Sequence, residues 1–267
     1  MLGPLRMLAG GGAAAGGAAG GAAAVLAGRD VHHPAEYLPL LSLGLGSEPR
    51  LGLGYWSDEP QAEARLLVLC KPLPKGQGPG VGFSVVADNL LAATHSLLMQ
   101  EAKKGGLRAG AAKRAASEIG QAAAAAGCAL DAQGDRSAAA RARKKGVVAP
   151  LSNKMGVVVP YDKATALGYR QLHCTGAALR KLLAAIEGSS GEERVAKQAE
   201  LDDLVNWATI ANDESDFGAS LQLGQDLFNH SPSFAPLAGR ILSTAYTLLG
   251  RDAFARIAVL HAKQRAV

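Results

Sequence analysis

Apolar positions change their spacing along the chain. From about Tyr37 to Leu98 they come in short runs: LPLLSLGLG (38–46), RLGLGYW (50–56), ARLLVLC (64–70) and GVGFSVVADN (80–89). Between them stand SEP, SDEP and KPLPKGQGPG, rich in the residues that set turn geometry. The pattern predicts a small antiparallel sheet. NLLAATHSLLMQEAKK (89–104) then shifts to helical spacing and is expected to pack on that sheet. AAKRAASEIGQAAAAAGCAL (111–130) predicts a second helix, and DAQGDRSAAARARKK (131–145) reads as a loop.

The texture tightens from Gly146 onward. GVVVPYDK (156–163) is expected to be a strand ending at Pro160, and GAALRKLLAAIEG (176–188) a helix stopped by Gly188. In SSGEERVAKQAELDDLVNWATIAND (189–213), Leu201, Leu204, Val205 and Ala208 make one apolar stripe, the signature of a helix laid on a core. Helices are also expected in ASLQLGQDLFNH (219–230) and in 234–264, the latter broken near Gly250. The predicted class is α+β, with the sheet early and the helices late. Three regions are expected: a low-complexity tail (1–29), a sheet-containing region with a basic helix and loop (30–145), and a mainly helical region carrying the functional site (146–267).

Composition narrows this picture. The 267 residues are 48% hydrophobic but only 4% aromatic, so burial rests on Leu, Val and Ile. Cys70, Cys128 and Cys174 are far apart and form no CxxC pair, which excludes a zinc ribbon or thioredoxin-type motif and fits a reducing compartment. The one long uncharged segment, AGGGAAAGGAAGGAAAVLAG (9–28), has only Val25 and Leu26 as strongly apolar residues. It is read as a low-complexity tail rather than a membrane span or a transit peptide. The net charge of +5 points weakly to an acidic partner. Within 103–145, ten Lys and Arg residues face only Glu118, Asp131 and Asp135. That stretch is either a solvated helix and loop or a contact for DNA or a nuclear-import receptor.

The densest acidic cluster is IANDESDFG (210–218), with Asp213, Glu214 and Asp216 in four positions. Like charges that close repel one another unless something uses them. DFG at 216–218 lacks the glycine-rich loop, HRD and VAIK partners of a kinase. Asn212, Glu214 and Asp216 alternate as in a calcium loop, but glycine falls at the seventh place and Leu223 stands where a bidentate glutamate is needed. There is no GxSxG, no phosphate-binding loop and no metal-ligand spacing. A helix N-cap accounts for Asp216, but not for all three acids.

WATIANDESDFGASLQLGQDLF (207–228) and LAGRILSTAYTLLGRDAFARI (237–257) resemble the C-terminal region of the histone PARylation factor family. GVVVPYDKATALGYRQL (156–172) and LRKLLAAIEGSSGEER (179–194) are similar to it as well, with weaker matches at 52–60 and 85–98. Two departures stand out. The family carries a longer N-terminal region before the sheet, and its loop after DLF is one residue longer than NHSPSFAP.

The resemblance implies a nuclear, chromatin-associated accessory factor of the DNA damage response, without enzymatic activity on its own. Such a factor binds no NAD and crosses no membrane. It docks on the catalytic domain of a nuclear poly(ADP-ribose) polymerase, which holds the NAD, and lends it a glutamate that directs ADP-ribosylation to histone serines. Glu214 matches that glutamate. Asp213 and Asp216 would form a negative rim for the acceptor's lysine in the histone tail, Asp213 also touching the polymerase. Tyr169, Arg170 and His230 match the docking surface. Arg170 is the expected cation beside the three acids. The alternative is a histone- or DNA-associated binding module without a catalytic contribution.

Overall fold

The computed structural model describes residues 25–26, 28–42, 51–62, 66–74, 80–131, 134 and 137–265, so nearly all of the Gly/Ala tail lies outside the described residues. Four strands form an antiparallel meander: β1 (Tyr37–Ser42), β2 (Gly52–Trp56), β3 (Leu66–Pro72) and β4 (Val81–Ala87), in that spatial order. Alternation along β3 explains its unbroken apolar sequence. Leu66, Val68 and Cys70 pack on one face with Tyr37, Trp56 and Phe83, while Leu67 and Leu69 pack on the other with Leu53 and Ala87. Successive strand side chains point to opposite sides, and here both sides are buried.

Helix α1 (Leu90–Lys104) covers the second face through Ala92 and Ala93. The Asn89 side chain caps it by accepting from Ala92 N–H at 2.8 Å. Helix α2 (Ala109–Ala125) doubles back along α1 after Gly105 and Gly106. The stretch expected to be a loop instead contains α3 (Ala138–Lys145). Its start is Ser137, whose hydroxyl accepts from Ala140 N–H at 3.1 Å, and the alanine run that follows has high helix propensity. Arg143 of α3 points inward, held by both oxygens of Asp58 at 2.7 and 2.8 Å and lying over Trp56.

The strand expected in 156–163 is shorter than its sequence reads. Only β6 (Val157–Val158) pairs, with β5 (Val147–Ala149), because the partner strand has just the residues between the end of α3 and Pro150, and Gly156 enters β6 with φ of 75°. Five helices follow: α4 (Gly176–Gly188), α5 (Gly191–Asp213), α6 (Phe217–His230), α7 (Ala235–Leu248) and α8 (Asp252–Arg265). The break at Gly250 falls where expected, with φ of 69°. Leu201, Leu204 and Ala208 of the predicted stripe are buried against Leu179, Leu183 and Leu221, and Val205 packs at the edge. The class is α+β. No helix among the described residues is long and apolar enough to cross a membrane.

Helix α6 is buried continuously from Gly218 to Asn229, and its polar positions stitch the two parts together. Asn229 accepts from Val81 N–H at 2.9 Å and donates to Val81 C=O at 3.1 Å, acting as a strand neighbour to β4. Gln225 donates to the buried Glu36, which also accepts from Tyr246 Oη at 2.6 Å. Asp226 accepts from Ser152 N–H at 2.9 Å.

The segment leading into β1 is held by buried basic groups. Arg29 donates to the carbonyls of Pro34 and Tyr37 at 3.0 and 2.5 Å. His33 packs edge-on to Tyr37 and His261 stacks on Phe228. Burial first, then the Arg29 charge, pushes His261 down to about 3. Burial likewise pushes His33 down to about 4, against the opposing pull of Asp30.

In the unfolded chain both histidines titrate near 6.5 and take up protons that the folded state refuses. Stability from these two groups is therefore complete above about pH 6.5 and declines as the pH falls toward 4, by about 1 kcal/mol per group per pH unit. Burial raises the Glu36 carboxyl, which acts with the opposite sign, costing stability as the pH rises above 4.5. Burial also raises Asp226 and lowers His230, so three histidines stand against two carboxyls and the urea midpoint is expected to fall between pH 6.5 and 5. A midpoint that stays flat over that range would contradict the neutral, buried histidines.

Candidate functional site

The acidic cluster spans the joint between α5 and α6. Asp213 is the last residue of α5, Glu214 its C-cap, and Ser215 turns the chain with φ of 67°. Three backbone bonds close the turn: Glu214 N–H to Ile210 C=O, Ser215 N–H to Asn212 C=O and Asp216 N–H to Ala211 C=O, at 3.2, 3.0 and 2.7 Å. Asp213 and Glu214 thus sit at a helix C-terminus, where the dipole disfavours negative charge, and the last turn of α5 carries no basic residue. Local helix stability does not explain them.

Asp216 does occupy the N-cap position of α6, but its side chain makes no bond to the first turn. The capping role is overturned by a longer-range one. Its Oδ1 accepts from Gly168 N–H at 2.8 Å, and its Oδ2 lies 3.2 Å from Arg170 Nε. The side chain is only 7% exposed, so Asp216 serves as an internal anchor.

The partner segment, 168–170, is pinned to the start of α6. Gly218 N–H donates to Gly168 C=O at 3.0 Å, and Tyr169 bridges to Phe217. A Cβ on Gly218 would lie 2.9 Å from the Gly168 oxygen and 3.0 Å from the Tyr169 ring. That close approach delivers Arg170 to the acids. Tyr169 Oη donates to Gln222 Oε1 at 3.0 Å, and partial burial raises its phenol above the usual value.

The guanidinium of Arg170 forms an ion pair with Glu214 through Nη2 and with Asp216 through Nε. Its open face lies 5.7 Å from the centroid of Trp207, which His173 meets edge-on at 6.3 Å. Glu214 remains 52% exposed. The result is a carboxylate fixed at its far end by an internally anchored arginine and open to solvent in front. Such a group can accept a proton from a hydroxyl brought up to it.

Of the residues singled out from sequence, Glu214, Asp216, Tyr169 and Arg170 come together, and Asp213 is exposed beside them on the same turn. The cation expected beside the acids is in contact with two of them. His230 is not brought there. It ends α6, about 20 Å from Asp216 at 1.5 Å per residue, with its side chain 8% exposed. There its Nε2 lies 3.4 Å from Glu187, and burial lowers its pKa. Trp207 and His173 were not marked in the sequence. Trp207 stands seven residues before Glu214, two turns along the same face of α5, and that spacing was its one available signal. Among the described residues no group of three or more His, Cys, Asp or Glu is placed to hold a metal ion.

The family profile described as "Histone PARylation factor 1" matches residues 1–265. The chain is 30% identical over 273 aligned residues to histone PARylation factor 1 of Bos taurus, covering 100% of this chain and 75% of the bovine protein. It is 41% identical to the Mus musculus protein of that name over 128 residues, 47% of this chain and 37% of the mouse protein. A putative histone PARylation factor 1-like protein of Homo sapiens is 39% identical over 125 residues, 46% of this chain and 36% of the human one. These two alignments therefore span little more than a third of each relative. The match extends over the sheet as well as the helices, and the chain belongs to the histone PARylation factor 1 family.

Proposed function

We propose that this chain is an accessory factor that docks on the catalytic domain of a nuclear poly(ADP-ribose) polymerase and completes its active site with Glu214. The composite site then transfers ADP-ribose to serine in histone tails, in chromatin during the DNA damage response. The polymerase holds the NAD, and this chain contributes no reaction of its own.

One observation carries the reading: Glu214 is half exposed, yet held by an arginine that Asp216 anchors from inside. A serine hydroxyl is a weak nucleophile until a base takes its proton, whereas a carboxylate acceptor is already ionised. Asp213, exposed on the same turn, adds negative charge that would draw a lysine next to the acceptor serine. Tyr169, tied to Gln222, and Arg170 supply the adjoining docking surface.

The test is a reconstitution with a nuclear poly(ADP-ribose) polymerase, labelled NAD and a histone-tail peptide containing Lys-Ser. Serine-linked label resists hydroxylamine, because it is not an acyl ester. It is expected only when this chain is present. Binding to the polymerase without serine label would remove the catalytic part of the proposal. Absence of binding to the cognate polymerase, with a salt-sensitive DNA complex in its place, would favour a nucleic-acid-associated module using Arg141, Lys144 and Lys145 of α3, the fourth basic residue there, Arg143, being turned inward to Asp58.

A further inference from the structure

We infer that Trp207 is a positioning residue, whose indole face, braced by His173, holds the Arg170 guanidinium in the orientation that aims Glu214. The inference rests on the proposed role of Glu214, but its geometric part stands independently. Arg170 has several rotatable bonds and its side chain is 34% exposed. Two carboxylates fix its nitrogens, Asp216 from within and Glu214 from the surface. They leave the plane of the guanidinium free to rock about the line joining them. A flat surface on one side restricts that freedom, and the Trp207 ring centroid lies 5.7 Å from the guanidinium carbon. A guanidinium over an indole face is attracted by the ring quadrupole as well as confined by it.

The ring is itself held. His173, in the segment just before α4, meets it edge-on at 6.3 Å. Trp207 is nevertheless 38% exposed on a helix surface that core packing does not require it to fill. A large aromatic on that surface, two turns before Glu214 and in contact with the arginine that grips it, is accounted for by positioning rather than by burial.

The two tryptophans make the geometry measurable without any partner. Trp56 is 2% exposed and Trp207 is 38% exposed, so acrylamide quenching reports mainly on Trp207. In the full chain alone, Arg170→Ala is expected to uncover one indole face and raise the quenching constant, by about 1.5-fold. Unchanged quenching would show that Arg170 does not cover the indole in solution and would overturn the inference, whatever the protein's function.

The second arm is the reconstituted reaction with labelled NAD and the Lys-Ser peptide. Trp207→Ala is expected to lower the serine-labelling rate about two- to five-fold, the range of an exposed cation–π contact. Polymerase co-purification and melting temperature should be retained. Trp207→Phe keeps an aromatic face and should recover most of the rate, whereas Trp207→Leu, similar in apolar character, should not. Equal rates for the Phe and Leu variants would overturn the aromatic role. Absence of serine label with the wild type would instead count against the proposed function, leaving the quenching result to decide the geometry.

Discussion

Glu214→Gln is expected to lower serine-linked labelling about 10²–10⁴-fold in the reconstituted reaction, the usual contribution of a positioned general base. Glutamine keeps the size of the side chain and an oxygen that can still accept from Arg170. It loses the capacity to take up a proton and the negative charge that pairs with Arg170, leaving a neutral hydrogen bond in its place. The site is half exposed, so no core contact is disturbed, and co-purification with the polymerase should persist. This selectivity is what makes the substitution informative: a folding or docking defect would lower both readouts together. A variant that retains labelling within about threefold of wild type would exclude Glu214 as the base and restrict the family's chemistry, in this chain, to docking.

Gly168→Ala should be the most damaging change to the fold around the site. Gly168 has φ of 113°, and a Cβ there would stand 2.1 Å from the Pro160 carbonyl oxygen. An alanine must adopt a backbone conformation that costs about 1–3 kcal/mol and also push a backbone carbonyl aside. The same residue donates its N–H to Asp216 and accepts from Gly218, so displacement would unseat the anchor of Arg170. A loss of at least about 3 kcal/mol is expected, lowering the melting temperature by about 6–12 °C for a domain of this size. Gly188→Ala is the matched control, since nothing lies within 4 Å of a Cβ built there and its φ is not positive. A Gly168→Ala protein that melts within about 2 °C of wild type would show that the 160–170 segment yields easily, contrary to its pinning by Gly218 and Asp216.

Much of the fold was legible in the order of residues. The four β-runs, the helix after β4, the break at Gly250 and the apolar stripe of α5 all appear where periodicity and turn residues put them. Two local readings failed for opposite reasons. In 131–145, glycine and charge outweighed the Ser137 cap and the alanines that make α3 helical. In 156–163, three consecutive valines before Pro160 promised a longer strand than the chain can pair, because the partner strand β5 is only three residues long. The acidic triplet was equally visible, but its members were indistinguishable as a string of carboxylates.

Which of those acids is exposed and which is an anchor depended on contacts across 46 to 48 residues, as with Asp216 to Gly168 and Arg170. Periodicity describes only neighbours within one element, and no local pattern records such a contact. The same limit hid the approach of Arg170 to the Trp207 ring, and it let His230 stand with the site in sequence although α6 carries it to its far end. The sequence by itself therefore determined the elements, the buried faces and the presence of an acidic joint, because these follow from local propensity and hydrophobic spacing. Only the tertiary structure decided that one carboxylate faces solvent while another holds its arginine. That division is set by which distant backbone and side chains the close approach of Gly218 and Gly168 brings together.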